Sequence, residues 1–283
     1  MFRINDIHKP ESLDKALQII GETPELRPIA GGTDLVIQLS ESLKPTSLLD
    51  ISQIPKLREI GLAGDSLFIG ASATHSEIAS SDLVRSNAPL IASSSAIMGG
   101  PAIRNRATIG GNVANASPVA ESLPTLIAHA AEIVLRSANG SRKMAVEDFH
   151  LGPGKNTLEE NELILGFEIP ICGADFFGFY ERLGSRAAVT ITKVGIALTA
   201  IHSGSVLRDV RIALSAVAPR VIRAHQSEAM LEGAEITSEL IGRAAQMLIT
   251  ECTPISDFRS TCEYRSDMVG QLFRIGFAEF LET

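Results

Sequence analysis

Residues 28–39 read PIAGGTDLVIQL: a short apolar run, two adjacent glycines, Thr33 and Asp34, then apolar residues at helical spacing. Paired glycines carry no Cβ, so the chain can take positive φ there and several backbone N–H groups can converge on one point. A helix starting directly behind adds a partial positive charge. The same grammar recurs at 108–112, TIGGN. Two such loops facing each other would hold a pyrophosphate, one phosphate per loop, with the hydroxyls of Thr33 and Thr108 as extra donors. Taken singly, each Gly-Gly is also what an ordinary turn looks like. Neither loop matches G-x-G-x-x-G, and Gly152-Pro153-Gly154-Lys155 is not a Walker A loop. By themselves the residues read as a dinucleotide site without saying which dinucleotide.

Around these loops the chain punctuates itself. Ser12 precedes Leu13, Ala16, Leu17 and Ile20, which predicts a helix stopped at Gly21. Arg27–Ala30 reads as a strand into the first loop, and Leu35, Leu39 and Leu43 as one face of a short helix. Ser47–Ile51 reads as a strand, and Leu57–Leu62 with Leu67–Ala71 as a hairpin turning at Ala63-Gly64-Asp65. Thr74 and Glu77 form a T-x-x-E capping box that predicts one long helix toward Met98. Ser117 with Pro118 predicts the N-cap and first residue of a helix carrying Leu123, Leu126, Ile127 and Ala130. Ile133–Ser137 and Arg142–Val146 flank Asn139-Gly140, a hairpin signal. From Glu162 the texture changes to strands at 162–169, 176–183, 190–201 and 206–216, closed by helices at 238–250 and 263–281. The expectation is an α+β fold with a boundary near residue 172 and an antiparallel sheet plus helices behind it.

Bulk composition narrows the function classes. The 283 residues are enough for two domains, with 45% apolar and 20% charged residues. A net charge of −8 argues against a nucleic-acid partner. Cys172, Cys252 and Cys262 have no cluster or zinc spacing, so no iron–sulfur or zinc site is expected from this chain alone. His8, His75, His129, His150, His202 and His225 share no ligand spacing and read as surface or core histidines; no metal site is expected. The start, MFRINDIHKP, has no apolar h-region and no stretch approaches a membrane span, so the expectation is a cytoplasmic protein with no membrane insertion.

Several linked stretches then carry a resemblance: PIAGGTDLVIQL at 28–39, GPAIRNRATIGGNVANASPVAESLPTL at 100–126, FHLGPGKNTLEENELILGFEIP at 149–170, YERLGSR at 180–186, and the ending DFRSTCEYRSDMVGQLFRI. Over nearly its whole length the chain resembles the FAD-binding subunits of the molybdenum hydroxylases, a family that includes bacterial xanthine dehydrogenase, the medium chain of carbon monoxide dehydrogenase and the flavin subunit of 4-hydroxybenzoyl-CoA reductase. The resemblance implies a two-lobed FAD domain of the PCMH or vanillyl-alcohol-oxidase type over 1–172 and a CO dehydrogenase flavoprotein C-terminal domain over 173–283. By position it implies that Pro28, Ile29, Ala30, Gly31, Gly32, Thr33, Asp34, Leu35 and Val36 wrap the pyrophosphate. Thr108, Gly110, Gly111 and Asn112 would supply the opposing loop. Ser117 and Glu121 would touch the ribityl or adenosine side, and Ile164 and Leu165 would lie near the adenine or ring edge.

Some positions keep two readings. Tyr180 stacks near the isoalloxazine or packs in the core. Asp34 accepts a ribose hydroxyl or caps a helix. Arg104 and Arg106 meet phosphate or a partner subunit, or form a solvated face. The family usually has Asp at the position of Glu121, and often Lys where Glu181 falls, with Arg182 adjacent. The implied function is electron transfer: a molybdopterin centre on a large partner subunit oxidises the substrate, [2Fe-2S] clusters on a small partner subunit pass electrons to the FAD here, and NAD+ or another acceptor takes them. No residue of this chain is expected as a general acid or base. The FHLGPGK and GPAIRN segments most resemble xanthine dehydrogenase flavin subunits, which implies purine oxidation by the complex; carbon monoxide, aromatic CoA thioesters and nicotinate-like rings stay open as substrates. A stand-alone FAD oxidoreductase and a flavin-free scaffold subunit are the rival readings.

Overall fold

The computed structural model describes residues 3–23, 25–42, 44–186 and 189–282; the expected helical position Leu43 lies outside them. Ile4–His8, Thr46–Asp50 and Arg27–Ile29 form a parallel three-stranded sheet in that spatial order. The first of these strands escaped the sequence reading because its residues are mostly exposed. Helix Leu13–Glu22 is capped by Ser12 and buries Ala16, Leu17 and Ile20, the predicted stripe. These three side chains pack with Leu49 in a small core of their own.

A five-stranded antiparallel sheet follows, in the order Ile60–Ala63, Ser66–Gly70, Leu163–Pro170, Glu132–Ser137, Gly140–Ala145. Its central strand arrives last in sequence and is buried on both faces, as a near-continuous apolar run requires. Leu57, expected in a strand, sits instead in the 3-10 turn Pro55–Arg58. The expected long helix is three: His75–Ser80, Asp82–Asn87 and Pro89–Ile97. Thr74 and Glu77 do form the capping box. Ser81, however, starts a new helix by accepting from the Val84 N–H, and Pro89 forces Ala88 out of the α region and restarts the chain. The helix expected at Ser117-Pro118 begins only at Ser122, because Ala116 takes φ +50 and 117–120 turn instead. Its first N–H donates to Asn112 Oδ1 at 3.2 Å.

The last sheet pairs Phe176–Leu183, Val194–Ser203, Val206–Ser215 and Ile222–Arg223 antiparallel. Strand 194–203 starts four residues later than expected, leaving 190–193 as loop. Helices Ser238–Glu251 and Cys262–Gly276 cover this sheet, and a short helix, Ala278–Glu282, follows. Phe179, Phe273 and Phe277 interlock there, with ring centroids 4.9 to 6.4 Å apart. Helix Ser122–Ala128 is the seam between the two halves. All seven of its residues are buried, and its last carbonyl accepts from Thr199 Oγ1 at 2.6 Å.

His75 and His129 lie inside, the first beside Ser95 (3.1 Å) and the second stacked on Phe176. Burial pushes both imidazoles down from 6.5 to about 4, opposed at His75 by a backbone hydrogen bond with Thr108. Folded, they stay neutral over a range in which the unfolded chain takes up protons. The stability they contribute is therefore complete above pH 6.5 and lost as the pH falls toward about 4. Equilibrium urea unfolding should lose on the order of a few kcal/mol across that window. The double variant His75→Phe, His129→Phe should flatten that slope; an unaltered slope would assign it to other groups.

Candidate functional site

One cleft, of about 720 Å3, gathers the sequence motifs. Its first wall is Arg27 to Leu35 with Gln38; its second runs from Met98 to Glu121 in pieces; its third is Thr190-Ile191-Thr192. Gly154, at φ +68, closes one side, its N–H donating to Ala116 O at 3.0 Å.

The first wall is built around missing Cβ atoms. A Cβ on Gly31 would stand 1.9 Å from the Arg106 carbonyl oxygen, so the two loops approach backbone to backbone. Gly32 has φ +72, a region that suits glycine. The chain then turns into helix Leu35–Glu41. Among the described residues, the backbone N–H groups of Gly31, Gly32, Thr33, Asp34 and Leu35 donate to no protein acceptor. Five successive free donors on a cleft wall form an anion cradle. Asp34 does not cap the helix with its side chain. It accepts from Gln38 Nε2, which also reaches Asn115 Oδ1 at 3.3 Å, while Arg27 Nη2 donates to Gln38 Oε1 at 2.9 Å.

The second loop differs from the expectation of a matching nest. Thr108 N-caps a helix, Ile109–Ala114, so the glycine pair lies inside its first turn. Neither Gly110 nor Gly111 has positive φ. The N–H groups of Ile109 and Gly110 donate to Ala73 O and Ala71 O, and that of Gly111 to Thr108 Oγ1. Gly110 serves packing, since a Cβ there would meet Ala71 Cβ at 2.6 Å. Thr108, Gly111 and Asn112 face the cleft. Arg104 Nη1 donates to Met98 O and Gly99 O, both at 3.1 Å, and Arg106 reaches Gly31 O at 3.4 Å. Both arginines therefore bind backbone carbonyls and shape the walls.

At the cleft floor Glu121 pairs with Arg182 at 2.8 Å, their side chains 12% and 7% exposed. Arg182 also donates to Thr190 O at 3.3 Å and Ile97 O at 2.8 Å, and Thr192 Oγ1 donates to Glu121 Oε1 at 3.3 Å. Burial pushes the Glu121 carboxyl up, opposed by the Arg182 charge and the Thr192 hydroxyl. Burial also raises Glu181, which falls in the strand region where the family often has Lys.

Not every expected residue reaches the cleft. Pro28 to Leu35, Thr108, Gly111, Asn112, Ser117 and Glu121 line it; Gly110 and Val36 do not. Ile164 is buried in the core beneath the central sheet, and Leu165 packs against the small core of the first lobe. Tyr180 packs against the main core, its hydroxyl buried without a partner. None of the three lines the cleft: Ile164 and Leu165, neighbours on strand 163–170, turn into different cores, and Tyr180 takes the core-packing one of its two readings. The sequence reading missed Thr190-Ile191-Thr192, whose β-branched residues imitate a strand, and Gly154.

Residues 2–172 match the family model for the FAD binding domain in molybdopterin dehydrogenase, and 180–280 match that for the CO dehydrogenase flavoprotein C-terminal domain. The chain belongs to the FAD-binding family of the molybdopterin dehydrogenases. It is 32% identical over 271 residues to the carbon monoxide dehydrogenase medium chain of Hydrogenophaga pseudoflava, covering 95% of this chain and 94% of that one. It is 28% identical over 272 residues to the xanthine dehydrogenase FAD-binding subunit of Escherichia coli O157:H7, covering 95% and 93%. A solved structure of carbon monoxide dehydrogenase from Hydrogenophaga pseudoflava, lacking the Mo-pyranopterin moiety of its molybdenum cofactor, matches with a TM-score of 0.93 at 32% identity, over 97% of this chain and 96% of that chain.

The residues fit the cofactor this family takes. The cleft volume falls within the about 300–1,000 Å3 of small-molecule sites. Its free amide row suits a pyrophosphate. Gly31→Ala should push the two loops apart. FAD retention should fall sharply, with apo melting lowered by roughly several degrees; flavin absorbance after gel filtration measures the first, and full retention would contradict the close-approach argument.

Proposed function

We propose that this chain is the FAD-carrying electron-transfer subunit of a cytoplasmic molybdenum hydroxylase complex, with a domain boundary at 172/173. The row of free N–H groups from Gly31 to Leu35 carries the reading. In it these amides bind the pyrophosphate, helped by the Thr33 hydroxyl, while Pro28, Ile29 and Ala30 lead the strand into the cradle. Thr108, Gly111, Asn112 and Ser117 bind from the facing wall. Glu121, fixed in place by Arg182 and Thr192, accepts from a flavin-chain hydroxyl. Met98, Ile103 and Ile191 would give the bound cofactor an apolar lining. Bound FAD supplies exchange of electrons both singly and in pairs.

The partners in this reading are a small subunit with [2Fe-2S] clusters and a large subunit with molybdopterin, and the final acceptor is NAD+ or another small oxidant. Support comes from the relatives, one named a medium chain and one an FAD-binding subunit. Among the described residues no group of His, Cys, Asp and Glu side chains is placed to hold a metal ion, and no helix is long and apolar enough to cross a membrane. For the complex we propose a xanthine dehydrogenase type, on the FHLGPGK and GPAIRN segments. A carbon monoxide dehydrogenase type is the second reading, favoured by the higher identity, 32% against 28%.

The purified chain should show an oxidised-flavin spectrum and release FAD at roughly one per chain on denaturation. Gly32→Val should purify colourless, because a β-branched residue at φ +72 distorts the cradle. Full flavin content in that variant would remove the pyrophosphate assignment.

A further inference from the structure

We propose that Arg265 is a positioning residue for the flavin site: from outside the cleft it holds two of the three walls in register. This rests on the cleft being the FAD site.

Arg265 sits on helix Cys262–Gly276 and is 2% exposed. Its Nη1 donates to Lys193 O at 2.7 Å and to Ala216 O at 3.0 Å, and its Nη2 donates to Asp257 Oδ1 at 2.9 Å. Each carbonyl leads to a wall. Lys193 directly follows Thr190-Ile191-Thr192, the third wall. Ala216 takes φ +64, and in that turn its N–H donates to Pro118 O at 2.9 Å. Pro118 stands between Ser117 and Val119, both on the second wall. One guanidinium thus ties the loop after strand 176–183 to the loop before helix 122–128, through carbonyls 23 residues apart in sequence (193 and 216).

The geometry also explains why an arginine is needed. Two donors on one planar group reach three acceptors in fixed directions, which a lysine ammonium on a flexible stem cannot reproduce. The Arg265 Nε is buried with no partner, so placement has been set by the carbonyls at the expense of its third donor. Asp257, which anchors the other side, is itself fixed: its Oδ1 accepts from the N–H of Arg259 at 2.8 Å and its Oδ2 from Arg259 Nη1 at 2.9 Å. The turn 257–260 closes with reciprocal backbone bonds between Asp257 and Ser260. Next to it, the Thr253 N–H donates to Val217 O at 2.9 Å, bracing the residue after Ala216. None of these side chains lines the cleft.

The test uses the full chain. Arg265→Lys and Asp257→Asn are compared with Leu248→Ala, a core truncation in helix 238–251 outside the cleft lining, and with Gly32→Val. FAD affinity is read by quenching of flavin fluorescence, flavin geometry by visible circular dichroism, and stability by melting of the apo chain. Arg265→Lys and Asp257→Asn should weaken FAD by about tenfold, from the loss of charge-assisted hydrogen bonds, and should reduce the visible dichroism of what remains bound. Leu248→Ala should lower the melting temperature at least as far while leaving affinity and dichroism unchanged. If Arg265→Lys does not fold, Asp257→Asn decides, since it loosens the guanidinium without emptying the buried site. Wild-type affinity and dichroism in the folded variants, with FAD lost from Gly32→Val, would overturn the positioning role and leave the cleft assignment standing. FAD retained by Gly32→Val would remove that assignment and the positioning role together.

Discussion

The arrangement depends on one close approach, that of Gly31 to the carbonyl of Arg106. No side chain fits between them. Because the backbones touch, the strand–loop–helix of the first lobe and the loop–helix of the second become adjoining walls of one cleft. The five N–H groups that the first loop leaves unspent then face a wall on which those of Ile109, Gly110 and Gly111 already have protein acceptors. In the proposed reading an anion is gripped mainly from one side, and the second wall contributes side chains and shape.

A second constraint ties the halves of the molecule together at the same place. Arg182 comes from the last sheet, Glu121 from the segment preceding the buried helix, and their pair lies under the cleft. Buried pairs of this kind add little net stability, because desolvation offsets most of the attraction, yet removing one partner strands the other. Their value here is geometric. Arg182 reaches the carbonyls of Ile97 and Thr190 as well, so it fixes wall two against wall three. Arg265 does the same from behind.

Much of this was legible in the residues. The Gly-Gly loops, the capping box at Thr74 and the stripe Ala16, Leu17, Ile20 are local signals, and local physics settles them. What was not legible is what only packing decides. Ile164 and Tyr180 lie on strands whose period is plain, but which face points to the cleft depends on the sheet's partners. Thr190-Ile191-Thr192 has the composition of a strand and is held as a loop by tertiary contacts from Arg182 and, at the next residue, Arg265. The broken helix after Thr74 was readable from Ser81-Asp82 and Pro89, whose breaking signals outweigh the apolar continuity across them.

The three walls enter at residues 27–38, 98–121 and 190–192, and the last is seated by an arginine some seventy positions further along. A chain emerging from the ribosome therefore carries its phosphate cradle long before it can enclose anything. With Arg265 in its proposed role, closure waits for helix Cys262–Gly276, which places cofactor capture late in the synthesis of the chain. A product ending before that helix would present an open cradle.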